Sequence, residues 1–163
     1  MARVLVADAE QRSALAAVRS LGRAGFEVDV CSAERRPLAG ASRHAQSAHE
    51  VRSAKVSREE FARDVAEVVQ RRGVDVVVPA TEASMLSLLP RRAMLEPAVV
   101  PFGPLNAFRA LSDKARVTEA ARSMGLAIPR QQVVTSPSEF GKLRLECPLV
   151  LKPSRSVVSV SSG

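Results

Sequence analysis

The residues from Arg3 to Cys31 leave a chain few ways to fold. Arg3 to Ala7 reads as a short buried strand, rich in β-branched residues. The spacing predicts a helix over Gln11 to Arg23. Its apolar positions Leu15, Val18 and Leu21, with Ala14 and Ala17 beside them, recur at helical intervals. Gly22 and Gly25 then let the chain turn, and Phe26 to Cys31 reads as a second strand. Two strands joined through a helix by such short connections favour a parallel pair.

The same alternation continues. Ser32 to Ala48 has no period and carries Pro37 and Gly40, so it reads as a loop, with a short edge strand near Glu50 to Arg52. Ser57 is placed to cap the next helix, and Glu60 falls three residues later, the capping-box spacing. Phe61, Val65 and Val68 line one face of that helix, and Arg71, Arg72 and Gly73 close it. Val74 to Val78 is a continuous apolar strand ended by Pro79, as at the centre of a parallel sheet. Thr81 caps a short helix through Leu89, which Pro90 stops; Ala98 to Phe102 is a short strand. Gly103-Pro104 opens a brief helix through Leu111, and Ser112 or Asp113 caps another that carries Val117, Ala121 and Met124 and ends at Gly125. Gln131 to Thr135 reads as a strand, Ser136-Pro137-Ser138-Glu139 as a helix start, and Leu149 to Leu151 as a last strand. Residues 157–160 read as the return arm of a hairpin. The pattern changes character near Leu111. The fold class is therefore α/β: a doubly wound parallel sheet over 1–110, then a partial α+β unit over 111–163.

The composition narrows the class of protein. At 163 residues, 46% of them hydrophobic, the chain suits one buried domain, or one domain and part of another. No apolar run approaches a membrane span, and Asp8 arrives too early for a signal peptide, so a cytoplasmic protein with no membrane partner is expected. Cys31 and Cys147 lie far apart without metal spacing and are expected as buried thiols. Basic residues number 24 against 17 acidic, a net charge of +7. The arginines form no run, and Trp and Tyr are absent, which argues against nucleic acid as a partner. His44 and His49, the only histidines, are expected as exposed loop residues rather than metal ligands.

The loop after the first strand, Asp8 to Ser13, contains no glycine, so it lacks the dinucleotide fingerprint. A Walker phosphate loop and a hydrolase elbow are absent too. Asp8, Thr81 and Glu82 stand at carboxyl ends of predicted strands, where ligands of open parallel sheets gather. The alternative is that Asp8 caps a helix and Thr81-Glu82 starts another. Two lysines stand out in a chain that otherwise uses arginine. Lys114 begins a predicted helix, against the helix dipole. Lys152 closes an apolar stretch beside Pro153. A compact ammonium in such a place holds phosphate as a point charge.

Ser112-Asp113-Lys114, then Met124-Gly125-Leu126-Ala127-Ile128-Pro129, then Pro148-Leu149-Val150-Leu151-Lys152-Pro153, resembles the ATP-grasp enzymes. Carbamoyl-phosphate synthetase large subunits and carboxylate-amine ligases are the nearest types. The resemblance implies a Rossmann-like pre-ATP-grasp domain over 1–110 and an incomplete ATP-grasp subdomain over 111–163. It implies that Lys152 contacts the α/β-phosphates of ATP and that Lys114 supports the same end, with Ser154 and Arg155 as further phosphate donors. Many members carry a glycine-rich loop after the phosphate lysine; here Ser154-Arg155-Ser156-Val157 stands in its place. The family's adenine hinge and Mg²⁺ ligands lie downstream, so no catalytic residue and no metal ligand is assigned. The complete protein would use ATP with Mg²⁺ to activate a small carboxylate as an acyl-phosphate, and this amino-terminal portion alone would be inactive. The alternative is a stand-alone doubly wound binding or interaction module.

Overall fold

The computed structural model describes residues 1–157, so the hairpin arm expected at 157–160 lies outside the described residues from position 158 on. The chain divides into two compact units, Met1–Leu105 and Asn106–Gly163. The first unit holds strands β1 (Arg3–Val6), β2 (Glu27–Ser32), β3 (Ala45–Glu50) and β4 (Val76–Val78). Helices α1 (Arg12–Arg23), α2 (Arg58–Arg72) and α3 (Glu82–Leu88) alternate with them. The sheet order is β3-β2-β1-β4 and every pairing is parallel, so the expected α/β doubly wound architecture stands.

The periodicity explains the layers. Val4 and Val6 of β1 and Val28 and Val30 of β2 pack with Ala14 and Val18 of α1, and Leu15, Ala17 and Leu21 flank that core. Leu5 and Val77 point to the opposite face by strand alternation and are fully buried. The α2 residues Phe61, Val65, Val68 and Val69 are buried as well. Each fully buried Val or Leu contributes roughly 1.5–3 kcal/mol relative to an exposed one.

One polar group is set inside this sheet. Asp29 of β2 is fully buried, and its carboxylate accepts from Ser47 Oγ at 2.6 Å and from Arg72 Nε at 3.0 Å. Charge and hydroxyl together satisfy a group that burial would otherwise penalise, and they hold its pKa below the ordinary value. Ser47 also meets His49 Nε2 at 3.0 Å. His49 is thus a half-buried strand residue rather than the exposed loop residue expected. Burial, with Arg71 and Arg72 nearby, lowers its pKa against the pull of Asp29. His44 is half-buried too, packed where Gly22 leaves room on α1: a β-carbon on Gly22 would lie 2.5 Å from that of His44.

Helix ends follow local chemistry. Ser57 Oγ accepts from the Glu60 N–H at 3.3 Å, but the Glu60 carboxylate goes to Arg52 at 3.1 Å, so only half of the expected capping box forms. Thr81 and Ser84 complete a reciprocal box at α3. Pro90 does not end that helical run. It sits at the start of a 3₁₀ turn, Leu89–Leu95, where its missing N–H costs nothing. The edge strand lies at Ala45–Glu50 rather than at 50–52. The strand expected at Ala98–Phe102 reduces to one bridge, Val99 to Val76.

In the second unit, α5 (Lys114–Ser123) is capped by Asp113, whose Oδ1 accepts from the N–H groups of Ala115 and Arg116. It follows α4 (Leu105–Leu111), which spans the boundary of the units. A 3₁₀ turn covers Pro137–Lys142. Gln131–Thr135 and Leu149–Leu151 are irregular rather than strands. Strand backbone needs a neighbour to pair its N–H and C=O groups, and among the described residues neither segment has one. Val150 and Leu151 are accordingly 79% and 72% exposed. Cys31 is buried but Cys147 is exposed, so only one thiol behaves as the expected core residue.

The close approach of Gly22 and His44 makes a test. Alanine in a helix interior normally gains about 1 kcal/mol over glycine, whereas forced overpacking costs typically 1–3 kcal/mol. Gly22→Ala is expected to lower the midpoint of thermal unfolding. Gly22→Ala combined with His44→Gly, which removes the opposing β-carbon, should lose less than the two single changes added together, read by circular dichroism.

Candidate functional site

The sheet order places β1 at the point where winding reverses: β2 lies on one side of it, β4 on the other. A crevice therefore opens at the carboxyl ends of β1 and β4. Asp8 sits there with φ of 58°, in the left-handed region that aspartate tolerates better than most residues. This bend turns its side chain away from the helix that follows. The Asp8 carboxylate accepts from the Ala80 N–H at 3.0 Å and from Ser84 Oγ at 2.6 Å, across 72 and 76 residues of sequence. It does not cap α1, whose N-cap Gln11 makes no side-chain cap. Thr81 caps α3 beside it, and Glu82 follows in the first helical turn.

Asp8 is 8% exposed, and burial pushes its carboxyl above the usual range even though Ser84 and Ala80 favour the ionised form. Glu10, two residues on, behaves oppositely. Burial raises its pKa, but the hydrogen bond from Ser32 Oγ at 2.7 Å, with Gln11 and Lys55 nearby, more than offsets it. Glu10, Ser32 and Lys55 line the same hollow as Asp8 and Thr81, and the sequence pattern did not single them out. The hollow holds about 30 Å³, roughly the share of one water molecule in the liquid. Glu82 is not among its lining residues.

The second unit carries the lysines. The backbone N–H of Lys114 donates to the carbonyl of Ser154 at 2.9 Å. Its Nζ donates to the carbonyl of Pro153 and to Ser156 Oγ, each at 3.3 Å. The start of α5 and the 153–156 segment are therefore in direct contact. Arg155 forms an ion pair with Asp113 at 3.1 Å. The N–H of Arg116, with Arg155, holds the Asp113 carboxyl below its ordinary range. Lys152 lies on an exposed irregular segment and not at the end of a strand. Ser154, Arg155 and Ser156 bring hydroxyl and guanidinium donors to the same place, a donor set suited to an anion. Carboxylates are scarce: Asp113 is the only one in these contacts, and Arg155 engages it. Among the described residues no group of three or more His, Cys, Asp and Glu could hold a metal ion, so the residues present do not fit Mg²⁺. Among the described residues no helix is long and apolar enough to cross a membrane.

No protein-family model and no curated protein matches the chain. Solved structures do. An L-amino acid ligase from Bacillus licheniformis superposes with a TM-score of 0.67 at 18% identity, over 97% of this chain and 38% of its own. A glycinamide-RNase-transformylase T from Mycobacterium tuberculosis gives 0.60 at 20% identity, over 86% and 37%. The biotin carboxylase domain of a single-chain bacterial carboxylase gives 0.59 at 18% identity, over 87% and 33%.

The chain shares its fold with part of each of these ATP-grasp enzymes. At these identities the likeness concerns the fold, and the chain spans between 33% and 38% of the length of these three ATP-grasp structures.

Asp8 provides the test of the crevice. Its raised pKa means that the folded state binds the proton more tightly than the unfolded state. The associated stability is full below the unfolded value, about 3.9, and is lost as pH rises through the folded value. Asp8→Asn keeps an acceptor for Ala80 and Ser84 without the charge. It should be at least as stable as the native chain at neutral pH and show a flatter pH dependence on the acid side. Asp8→Ala removes the acceptor of the Ala80 N–H, while Ser84 Oγ keeps the Thr81 carbonyl in reach, and should cost about 1–3 kcal/mol. Urea midpoints across pH check both; an asparagine variant less stable than the alanine variant would contradict the assignment.

Proposed function

We propose that the chain is the amino-terminal portion of an ATP-grasp-type ligase, with residues 1–110 as its front domain and 111–163 as the start of the nucleotide-binding domain. In the complete protein, Lys152 and Lys114 neutralise ATP phosphate charge, and Ser154 and Arg155 donate to the same oxygens. A small carboxylate is activated there as an acyl-phosphate and passed to a nucleophile. Charge builds on the transferred phosphoryl oxygens in the transition state, so fixed ammonium groups lower that barrier. ATP with Mg²⁺ is the cofactor of that complete enzyme, the metal held by residues other than those described. The setting is cytoplasmic.

The observation that carries this reading is the contact between the Lys114 ammonium and the 153–156 segment. It joins two motifs far apart in sequence at one donor-rich place. The fold shared with ATP-grasp enzymes supports it independently. The crevice residues Asp8, Thr81 and Glu82 are assigned to the carboxylate-substrate side of the reading, through their position at strand ends. A stand-alone module differs in one respect: it would have no use for an anion at the lysines.

Titration of the labelled chain with ATP, followed by amide chemical shifts, tests the phosphate assignment. Shifts are expected at residues 114 and 152–156, with or without Mg²⁺, at weak affinity, about millimolar (roughly −4 kcal/mol). Lys152→Ala and Lys114→Ala should each reduce them. In a full-length enzyme carrying this segment, loss of the lysine that stabilises transferred charge should lower turnover on the order of 10²-fold. Absence of shifts at those amides, or their persistence in both variants, would favour the module instead.

A further inference from the structure

The first unit carries a second concavity that the nucleotide reading leaves unused. Past the carboxyl end of β3, the segment Glu50-Val51-Arg52 runs beside α2, and the groove they form holds about 390 Å³. That lies within the roughly 300–1,000 Å³ of small-ligand sites. Its floor is apolar: Val51 and Val68 are 5% and 3% exposed. Its walls are charged, and the charges are not all matched. Asp64 accepts from the Arg52 guanidinium through two contacts and from its backbone N–H, and Arg52 also takes Glu60. Glu67 and Arg71 follow on the same stripe of α2, one turn apart. Neither forms an ion pair among the described residues. The Arg71 guanidinium instead donates to Nδ1 of His49 at 3.4 Å, and no carboxylate pairs with it among the described residues. On the facing side Glu50 has its basic neighbour, Arg35, only at 4.0 Å.

We propose that this groove binds a free zwitterionic α-amino acid with an apolar side chain. Its carboxylate meets Arg71, its ammonium meets Glu67 with Glu50 beside it, and its side chain lies on Val51 and Val68. The spacing of one helical turn suits two opposite charges borne by groups on one carbon of a small molecule. A polyphosphate does not suit the groove, because Glu50, Asp64 and Glu67 repel it. A plain amine or a plain carboxylate satisfies only one of the two unmatched side chains. A purely apolar ligand leaves both unmatched. The proposal uses residues of the first unit alone and holds whether or not the lysines of the second unit bind nucleotide.

The experiment titrates L-leucine into the isotope-labelled 163-residue chain and follows amide shifts. Saturable shifts at Val51, Val68 and Arg71 are expected. In the same assay 3-methylbutylamine and 4-methylpentanoate, each lacking one charge, should bind about tenfold more weakly, as should L-leucine to Glu67→Gln and to Arg71→Gln. Both substitutions alter exposed side chains, and the amide spectrum reports directly that the fold persists. The proposal is overturned by no saturable shift at the groove, by either single-charge analogue binding as well as L-leucine, or by both variants binding like the native chain.

Discussion

All strands of the sheet point one way, and every other feature of the first unit answers to that. A parallel ladder forces each connection to cross a face, so helices cover both sides and the central strands become largely apolar. The order β3-β2-β1-β4 then requires the chain to reverse its direction of winding after β3. The reversal opens the crevice beside β1. Asp8 spans it, and its carboxylate binds the loop that leaves β4, so that the two strand ends are held in register by one buried group. A neutral residue of similar shape could do the same holding. A carboxylate kept there against the cost of burial is a group that a ligand could use.

Much of the first unit was legible because its elements carry strong local signals. The 3.6 period of α1, the apolar run of β4 and the serine and threonine caps of α2 and α3 each fix an element without help from distant residues. β3 was displaced by several residues because Ala45–Glu50, an edge strand, has small and polar side chains and no apolar alternation to mark it. The strands expected in the second unit failed for a different reason. Leu149 to Leu151 has strand composition, but composition alone cannot supply a pairing partner.

The layout of the candidate site was legible where position alone decides and illegible where pairing decides. Asp8 and Thr81 follow from their places after strands, and Lys114 and Lys152 from motif. The partners do not. Ser84 on Asp8, Ser32 on Glu10 and Arg72 on Asp29 join residues separated by 76, 22 and 43 positions. No spacing rule connects such pairs. Asp29 did leave a trace, an acid in the middle of Glu27-Val28-Asp29-Val30-Cys31, because a charge inside an apolar strand requires a counter-charge from some other element.

The two thiols differ in a way that has a practical use. Cys31 is sealed within the sheet, and burial pushes its thiol pKa far above the ordinary value so that little reactive thiolate forms, while Cys147 is open to solvent. A maleimide probe added to the native protein should attach to the second unit alone. The chain thus comes with its own single labelling position, and a fluorophore or spin label there reports on the second unit without mutagenesis.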